Sequence, residues 1–156
     1  MKTSGLRSSS RRCLIATMFV AVAACGDAKP RFTEPVTLGG KQVPPEVLNR
    51  GSRVYALYCV SCHAIDGSGQ GNAARSLKVP PRDFREADFR YVSGPEGSLP
   101  TDDDLDLTLR KGRAENGMPA WDGLSVEDRH AVIQYLKTFS DRWSHEAPKG
   151  PEVAES

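Results

Sequence analysis

The chain predicts an all-α fold: three main helices joined by long loops, in a domain of about a hundred residues. Three stretches, beginning at Pro45, Thr101 and Ser125, repeat apolar residues at helical spacing behind a recognisable start signal. No segment shows a convincing alternating strand pattern. The connection between the first two stretches carries Gly67, Gly69, Gly71, Pro80 and Pro81, residues that break regular structure.

The first helix starts at Pro45, whose fixed φ suits a first helical turn. Val47, Gly51, Val54, Tyr55 and Tyr58 then share one face. A glycine inside a helix costs about 1 kcal/mol relative to alanine, so Gly51 is read as the point where another helix crosses closely. The second helix runs from Thr101 to about Lys111. Thr101 and Asp104 are spaced as a capping box, and Asp102, Asp103 and Asp104 sit at its positive end with Arg110 and Lys111 in its last turn. Capping accounts for this acidic cluster without a metal. Leu105, Thr108 and Leu109 form its inner stripe and Gly112 stops it. The third helix, Ser125 to about Ser140, turns Val132, Tyr135, Leu136 and Phe139 inward.

The first helix leads into Cys59-Val60-Ser61-Cys62-His63. A Cys-x-x-Cys-His run is an attachment site for c-type haem. Two thiols on one helical turn can bond both vinyl-derived carbons of a haem, and the histidine after them lies against the iron. The other readings of the two cysteines are weaker. Structural zinc needs four ligands, and no second cysteine pair exists. A thioredoxin-like redox pair needs a βαβ setting, which the pattern does not supply. One covalent haem c is expected, with His63 as one axial ligand.

The N-terminus reads as an export signal. Lys2, Arg7, Arg11 and Arg12 form a basic region and Cys13 to Ala24 an apolar run too short to span a bilayer comfortably. Val22-Ala23-Ala24-Cys25 resembles a bacterial lipobox, which makes Cys25 the acylated first residue of the mature chain; the alternative is an ordinary signal cleaved nearby with Cys25 a free thiol. The cysteines are then all used: Cys13 leaves, Cys25 takes lipid, Cys59 and Cys62 take haem. Removing residues 1–24 takes away four positive side chains and no negative ones, leaving 17 Lys+Arg against 20 Asp+Glu, a formal charge of −3. That excludes a strongly basic nucleic-acid binder. The organisation expected is a lipoprotein signal at 1–24, a lipid-anchored flexible tether at 25–44, the haem domain at 45–140 and a loose polar tail at 141–156. As a flexible chain the tether would have a root-mean-square reach of roughly 25 Å. The location expected is the periplasmic side of a bacterial membrane.

The sixth position on the iron separates an electron carrier from a ligand-binding or catalytic haem. Beyond Met1 and Met18 the chain has one methionine, Met118, in Gly117-Met118-Pro119-Ala120-Trp121. It lies outside any helical stripe, in a loop stiffened by Pro119, and is read as the second axial ligand. A thioether raises the reduction potential. His130, expected to face solvent, and His145, in the polar tail, are the alternatives.

These features come together in one family. Gly51 and Tyr55 before Cys59–His63, the run Asp66-Gly67-Ser68-Gly69-Gln70-Gly71, the segment Pro80-Pro81-Arg82-Asp83-Phe84, Met118-Pro119, and Tyr135-Leu136 on the last helix make the chain similar to class I (monohaem) cytochromes c over about 45–140. The resemblance implies a small cytochrome c fold whose first and last helices cross, with Gly51 and Tyr55 against Val132 and Tyr135. It implies that a proline carbonyl, of Pro80 or Pro81, accepts the His63 imidazole N–H, and that Trp121 packs near the haem edge or serves as a plain core residue. Arg82 and Tyr91 are candidates to approach the propionates. It further implies a monomeric, non-enzymatic electron carrier between membrane-bound redox proteins, such as a quinol-oxidising complex and a terminal oxidase or reductase. The rival readings are a fixed cytochrome subunit of a larger membrane complex and a haem-based ligand sensor or peroxidase-like enzyme.

Overall fold

The computed structural model describes residues 31–151. The signal segment, Cys25 and the last five residues lie outside the described part. After a short β-hairpin (β1 Val36–Leu38, β2 Lys41–Val43) come helix α1 (Pro45–Tyr58), the single turn α2 (Val60–His63), α3 (Asp102–Lys111), α4 (Val126–Lys137) and the short α5 (Arg142–His145). The fold is helical as expected, and the three predicted helices begin within a residue of their start signals.

The start signals work as the sequence suggests. Pro45 opens α1. The Thr101 hydroxyl accepts the Asp104 N–H at 3.1 Å while the Asp104 carboxylate accepts the Thr101 N–H at 2.9 Å, a complete capping box. The Ser125 hydroxyl accepts the Asp128 N–H at 3.1 Å. Such caps satisfy helix N–H groups that otherwise have no partner.

Helices α1 and α4 form the centre of the domain. A Cβ built on Gly51 would lie 2.1 Å from the Ala131 carbonyl oxygen and 2.7 Å from Tyr135 Cβ. No side chain fits there, which is why the helix tolerates a residue that weakens it. Leu48, Val54 and Tyr55 of α1 are buried with Val132, Ile133, Tyr135 and Leu136 of α4. Of the expected α1 stripe, Gly51, Val54 and Tyr55 are buried and Val47 packs against the core; Leu48 joins them, and Tyr58 is exposed on the cavity wall. The rings of Tyr55, Tyr135 and Phe139 lie 5.2–5.4 Å apart and join the two helices. Helix α3 ties onto α4 through charge, Asp106 meeting Arg129 at 2.7 Å and Asp102 meeting the buried Lys137.

Two segments differ from expectation. The described part of the stretch read as a tether, 31–44, is packed and not loose. Val36 pairs with Val43 and Leu38 with Lys41 around a Gly39-Gly40 turn, and Leu38 and Val43 are buried. Upstream, the Asn49 side chain donates to the Phe32 carbonyl at 2.8 Å and accepts its N–H at 3.0 Å. Arg31 donates to the Tyr135 hydroxyl at 2.7 Å. The stretch read as a loose tail likewise folds back as far as α5. Trp143 is 0% exposed and its carbonyl accepts the Gly39 N–H at 2.6 Å. Arg142 donates to the carbonyls of Ala87 and Gly97 at 2.9 and 3.0 Å. Hairpin and α5 thus cover each other's apolar residues.

Candidate haem site

Helix α1 ends at Tyr58, and the chain turns through Cys59 into α2, which carries Cys62 and His63. The next residue, Ala64, has φ +61, and its carbonyl accepts the Tyr55 hydroxyl at 2.7 Å. The end of the motif is therefore held by a side chain from the crossing of α1 and α4. Farther on, a Cβ on Gly69 would lie 2.4 Å from the Pro81 carbonyl oxygen. This close approach brings the loop after the motif against the 80–84 segment.

The segment positions the histidine. His63 Nδ1 donates to the Arg82 carbonyl at 3.2 Å, which leaves Nε2 as the ring nitrogen with a free lone pair. The Phe84 ring stacks on the imidazole at 4.4 Å and 15°. Burial lowers the His63 pKa, with the Arg82 carbonyl acting in the opposite sense; the direction favours the neutral ring that a metal ligand requires. The proline expected to accept this imidazole is not the acceptor. The carbonyl belongs to Arg82, one residue past Pro81, whose own carbonyl faces Gly69 instead.

These residues line a cavity of about 690 Å³, within the range of cofactor pockets. Cys59, Cys62, His63, Met118, Pro81 and Trp121 all contribute to its wall, together with Leu105 and Leu109 of α3 and Val132 and Leu136 of α4. Burial, and then the neighbouring Cys62, push the Cys59 thiol up to about 12, so it is a protonated thiol on its own. His130 and His145 are exposed and contribute nothing to the wall.

Met118 is held by backbone. Its N–H donates to the Arg113 carbonyl at 3.0 Å and its carbonyl accepts the Arg113 N–H at 2.8 Å, an isolated antiparallel pair. A single turn of 3₁₀ helix, Ala114–Asn116, fills the loop between them. Downstream, the Trp121 N–H donates to the Leu109 carbonyl at 2.8 Å, and the Trp121 ring lies 5.3 Å from that of Tyr58. The methionine is thus presented between a closed hairpin and an anchor on α3.

The wall carries an uneven charge. Arg82, Arg90 and Arg113 line it against Asp83 and Glu86, and Asp83 is engaged by Arg85 at 2.6 Å. An apolar cleft with two thiols, a neutral imidazole and an excess of guanidinium suits haem, an apolar ring with two carboxylates. Among the described residues no group of three or more His, Cys, Asp or Glu could hold a bare metal ion. No helix among them is long and apolar enough to cross a membrane.

Comparison with known proteins decides the family. The model described as "Cytochrome C oxidase, cbb3-type, subunit III" matches residues 46–136, which hold the motif, the cavity and the α1–α4 crossing. The chain belongs to this cytochrome c family. A cytochrome c domain binds haem c and serves electron transfer. Among solved structures the cytochrome is similar to a chain of the Kuenenia stuttgartiensis reducing HAO-like protein complex Kustc0457/Kustc0458, at 37% identity and a TM-score of 0.63 over 67% of this chain. It spans 47% of that chain, about half its length. A second similar structure is the KustC0563 c-type cytochrome, at 23% identity and a TM-score of 0.41, covering 58% of this chain and 96% of that one. No curated protein matches.

Sequence reasoning quoted Phe84 without giving it a role, though it stacks on His63, and missed Arg113, whose backbone pairs with Met118. Arg113 carried a faint signal: it follows the helix-stopping Gly112 and stands five residues before the methionine.

Proposed function

We propose that this cytochrome is a one-electron carrier in a respiratory chain, with a single haem joined covalently to Cys59 and Cys62 and ligated axially by His63 and Met118. When bound, the haem supplies iron that cycles between Fe(II) and Fe(III). The protein's part is to keep both axial positions filled, to exclude water and to hold the ligands still, so that little rearranges when the electron moves. The observation that carries this reading is Met118 on the wall of the cavity that His63 lines, on a loop closed by its own backbone pair. A sensor or peroxidase-like enzyme needs an open or labile position there.

The proposal extends to the N-terminus: Cys25 is acylated after export and tethers the cytochrome to the periplasmic side of a bacterial membrane. Its partners there are membrane-bound redox proteins, a quinol-oxidising complex on one side and a terminal oxidase or reductase on the other. The similar chain of the HAO-like complex is part of an assembly, which favours the fixed-subunit role as the second reading. Detergent extraction separates the two: a mobile carrier leaves the membrane alone, and a subunit leaves it with its complex.

The first experiment is an optical spectrum of the haem-loaded protein in both oxidation states. The ferric form is expected to show the weak near-infrared sulfur-to-iron band, and Met118→Ala to abolish it. A high-spin ferric spectrum, or immediate CO binding by the reduced protein, would overturn the closed-site reading.

A further inference from the structure

Arg113 has no acidic partner among the described residues. Its side chain is half-buried and lines the haem cavity. One terminal nitrogen donates to the Gly112 carbonyl at 3.0 Å and the other lies 3.4 Å from the Thr108 hydroxyl. Nε is buried with no hydrogen-bond partner. The guanidinium lies 3.8 Å from the centre of the Tyr91 ring, which backs it from one face. A buried donor left unsatisfied is costly, and so is a cation that faces a cavity beside neutral groups without an anion. The other arginines of the wall do not share this condition. Arg82 has Asp88 at 3.6 Å, and Arg90 is exposed.

We infer that Arg113 is the site of one haem propionate: its Nε–H and guanidinium charge receive the carboxylate that the cavity otherwise leaves without a cation of fixed geometry. This rests on haem occupying the cavity as proposed. Tyr91 holds the guanidinium plane, and Thr108 and Gly112 hold its far edge, so the fork is preorganised before the cofactor enters. The backbone pair with Met118 places this cation and the proposed axial sulfur on one small hairpin. Arg113 is therefore a positioning residue that sets charge near the iron. A compensated propionate stabilises the ferric state less than a bare one, so Arg113 raises the reduction potential.

The test uses the full chain matured with haem in vivo, as wild type, Arg113→Lys and Arg113→Gln, with three readouts. These are the ferric near-infrared sulfur-to-iron band, the midpoint potential at one fixed pH, and the propionate bending mode in resonance Raman spectra. In Arg113→Gln the band is expected to persist, the potential to fall and the propionate mode to shift; Arg113→Lys recovers part of the potential because it keeps the charge. An unchanged potential and propionate mode in Arg113→Gln overturn the assignment. So does loss of the near-infrared band in both variants, which would make Arg113 a structural clasp for the methionine loop. Wild type without the band would refute the ligation reading, while the propionate mode still reports on Arg113.

Discussion

Replacing Gly51 with alanine probes the helix crossing on which the site is built. Two effects oppose each other. Alanine is the better helix former by about 1 kcal/mol, so at a free surface position the variant would be more stable than wild type. At Gly51, however, the new methyl would meet the Ala131 carbonyl oxygen at 2.1 Å, its carbon at 2.6 Å and Tyr135 Cβ at 2.7 Å. All are backbone or first side-chain atoms, so no rotamer change relieves the contact. The helices must separate by roughly 1 Å to restore van der Waals distance. A radial gap of 0.5–1 Å forfeits about a quarter to a half of each dispersion contact, here across Leu48, Val54, Tyr55, Val132 and Tyr135. With overpacking costs of about 1–3 kcal/mol, the upper end applies, and the net expected loss is about 2–3 kcal/mol after the propensity gain. For a domain of this size that lowers Tm by on the order of 10 °C. The assay is guanidinium unfolding of the ferric haem-loaded protein followed by far-UV circular dichroism, with Gly123→Ala as control, since nothing lies within 4 Å of a Cβ there. A Gly51→Ala protein as stable as wild type, at unchanged m, would mean that the helices do not meet at this position.

Trp143→Ala should destabilise by about 3–5 kcal/mol, because the ring is 0% exposed; a thermal melt indistinguishable from wild type would restore the loose-tail reading. Removing the two partners of the Lys137–Asp102 pair should cost unequally. Asp102→Ala strands a lysine whose side chain is 3% exposed and should lose about 3–5 kcal/mol; Lys137→Met leaves a carboxylate that water can reach and should lose less, a ranking that a double-mutant cycle checks. Acid should unfold the protein from its α3 contacts. Burial opposes the charged form of Asp104 and Asp106, but N–H groups of Thr101 and Ser93 for the one, and Arg129 and Arg110 for the other, outweigh it and hold both below the usual carboxylate range. Their stabilisation is complete above the unfolded value of about 3.9 and is lost as pH falls through the folded values. Asp104→Asn should weaken the acid dependence and cost about 1 kcal/mol at neutral pH, read from urea midpoints between pH 3 and 6.

Those parts of the fold that depend on local rules were legible in the chain. Thr101 and Asp104 announce their helix because a capping box is a relation between residues three apart. Gly51 marks the crossing because a costly residue needs a reason. The haem motif and Met118 stand out by residue type alone. The misses share a different cause. Strands of three residues offer too few alternations to register, although Gly39-Gly40 is a hairpin turn signal. Trp143 stands among polar neighbours, and its burial is decided by the distant Gly39. The identity of the carbonyl beside His63 is a matter of peptide orientation, on which side chains say little: Pro81 and Arg82 are adjacent, and only the approach of Gly69 turns one carbonyl away and leaves the other for the imidazole. Arg113 is ordinary in sequence and becomes distinctive only when its neighbours prove to lack a carboxylate.

The packed N-terminal segment changes the distance scale of any encounter. If Cys25 carries lipid as proposed, Arg31, held through Tyr135, is the first of the described residues fastened to the domain. At most six peptide units then separate anchor from protein, no more than about 20 Å when fully drawn out. A leash that short does not let the cytochrome wander. It sets a ceiling on the height at which an electron can be handed over, so an acceptor whose docking face lies well above the lipid headgroups would be out of range.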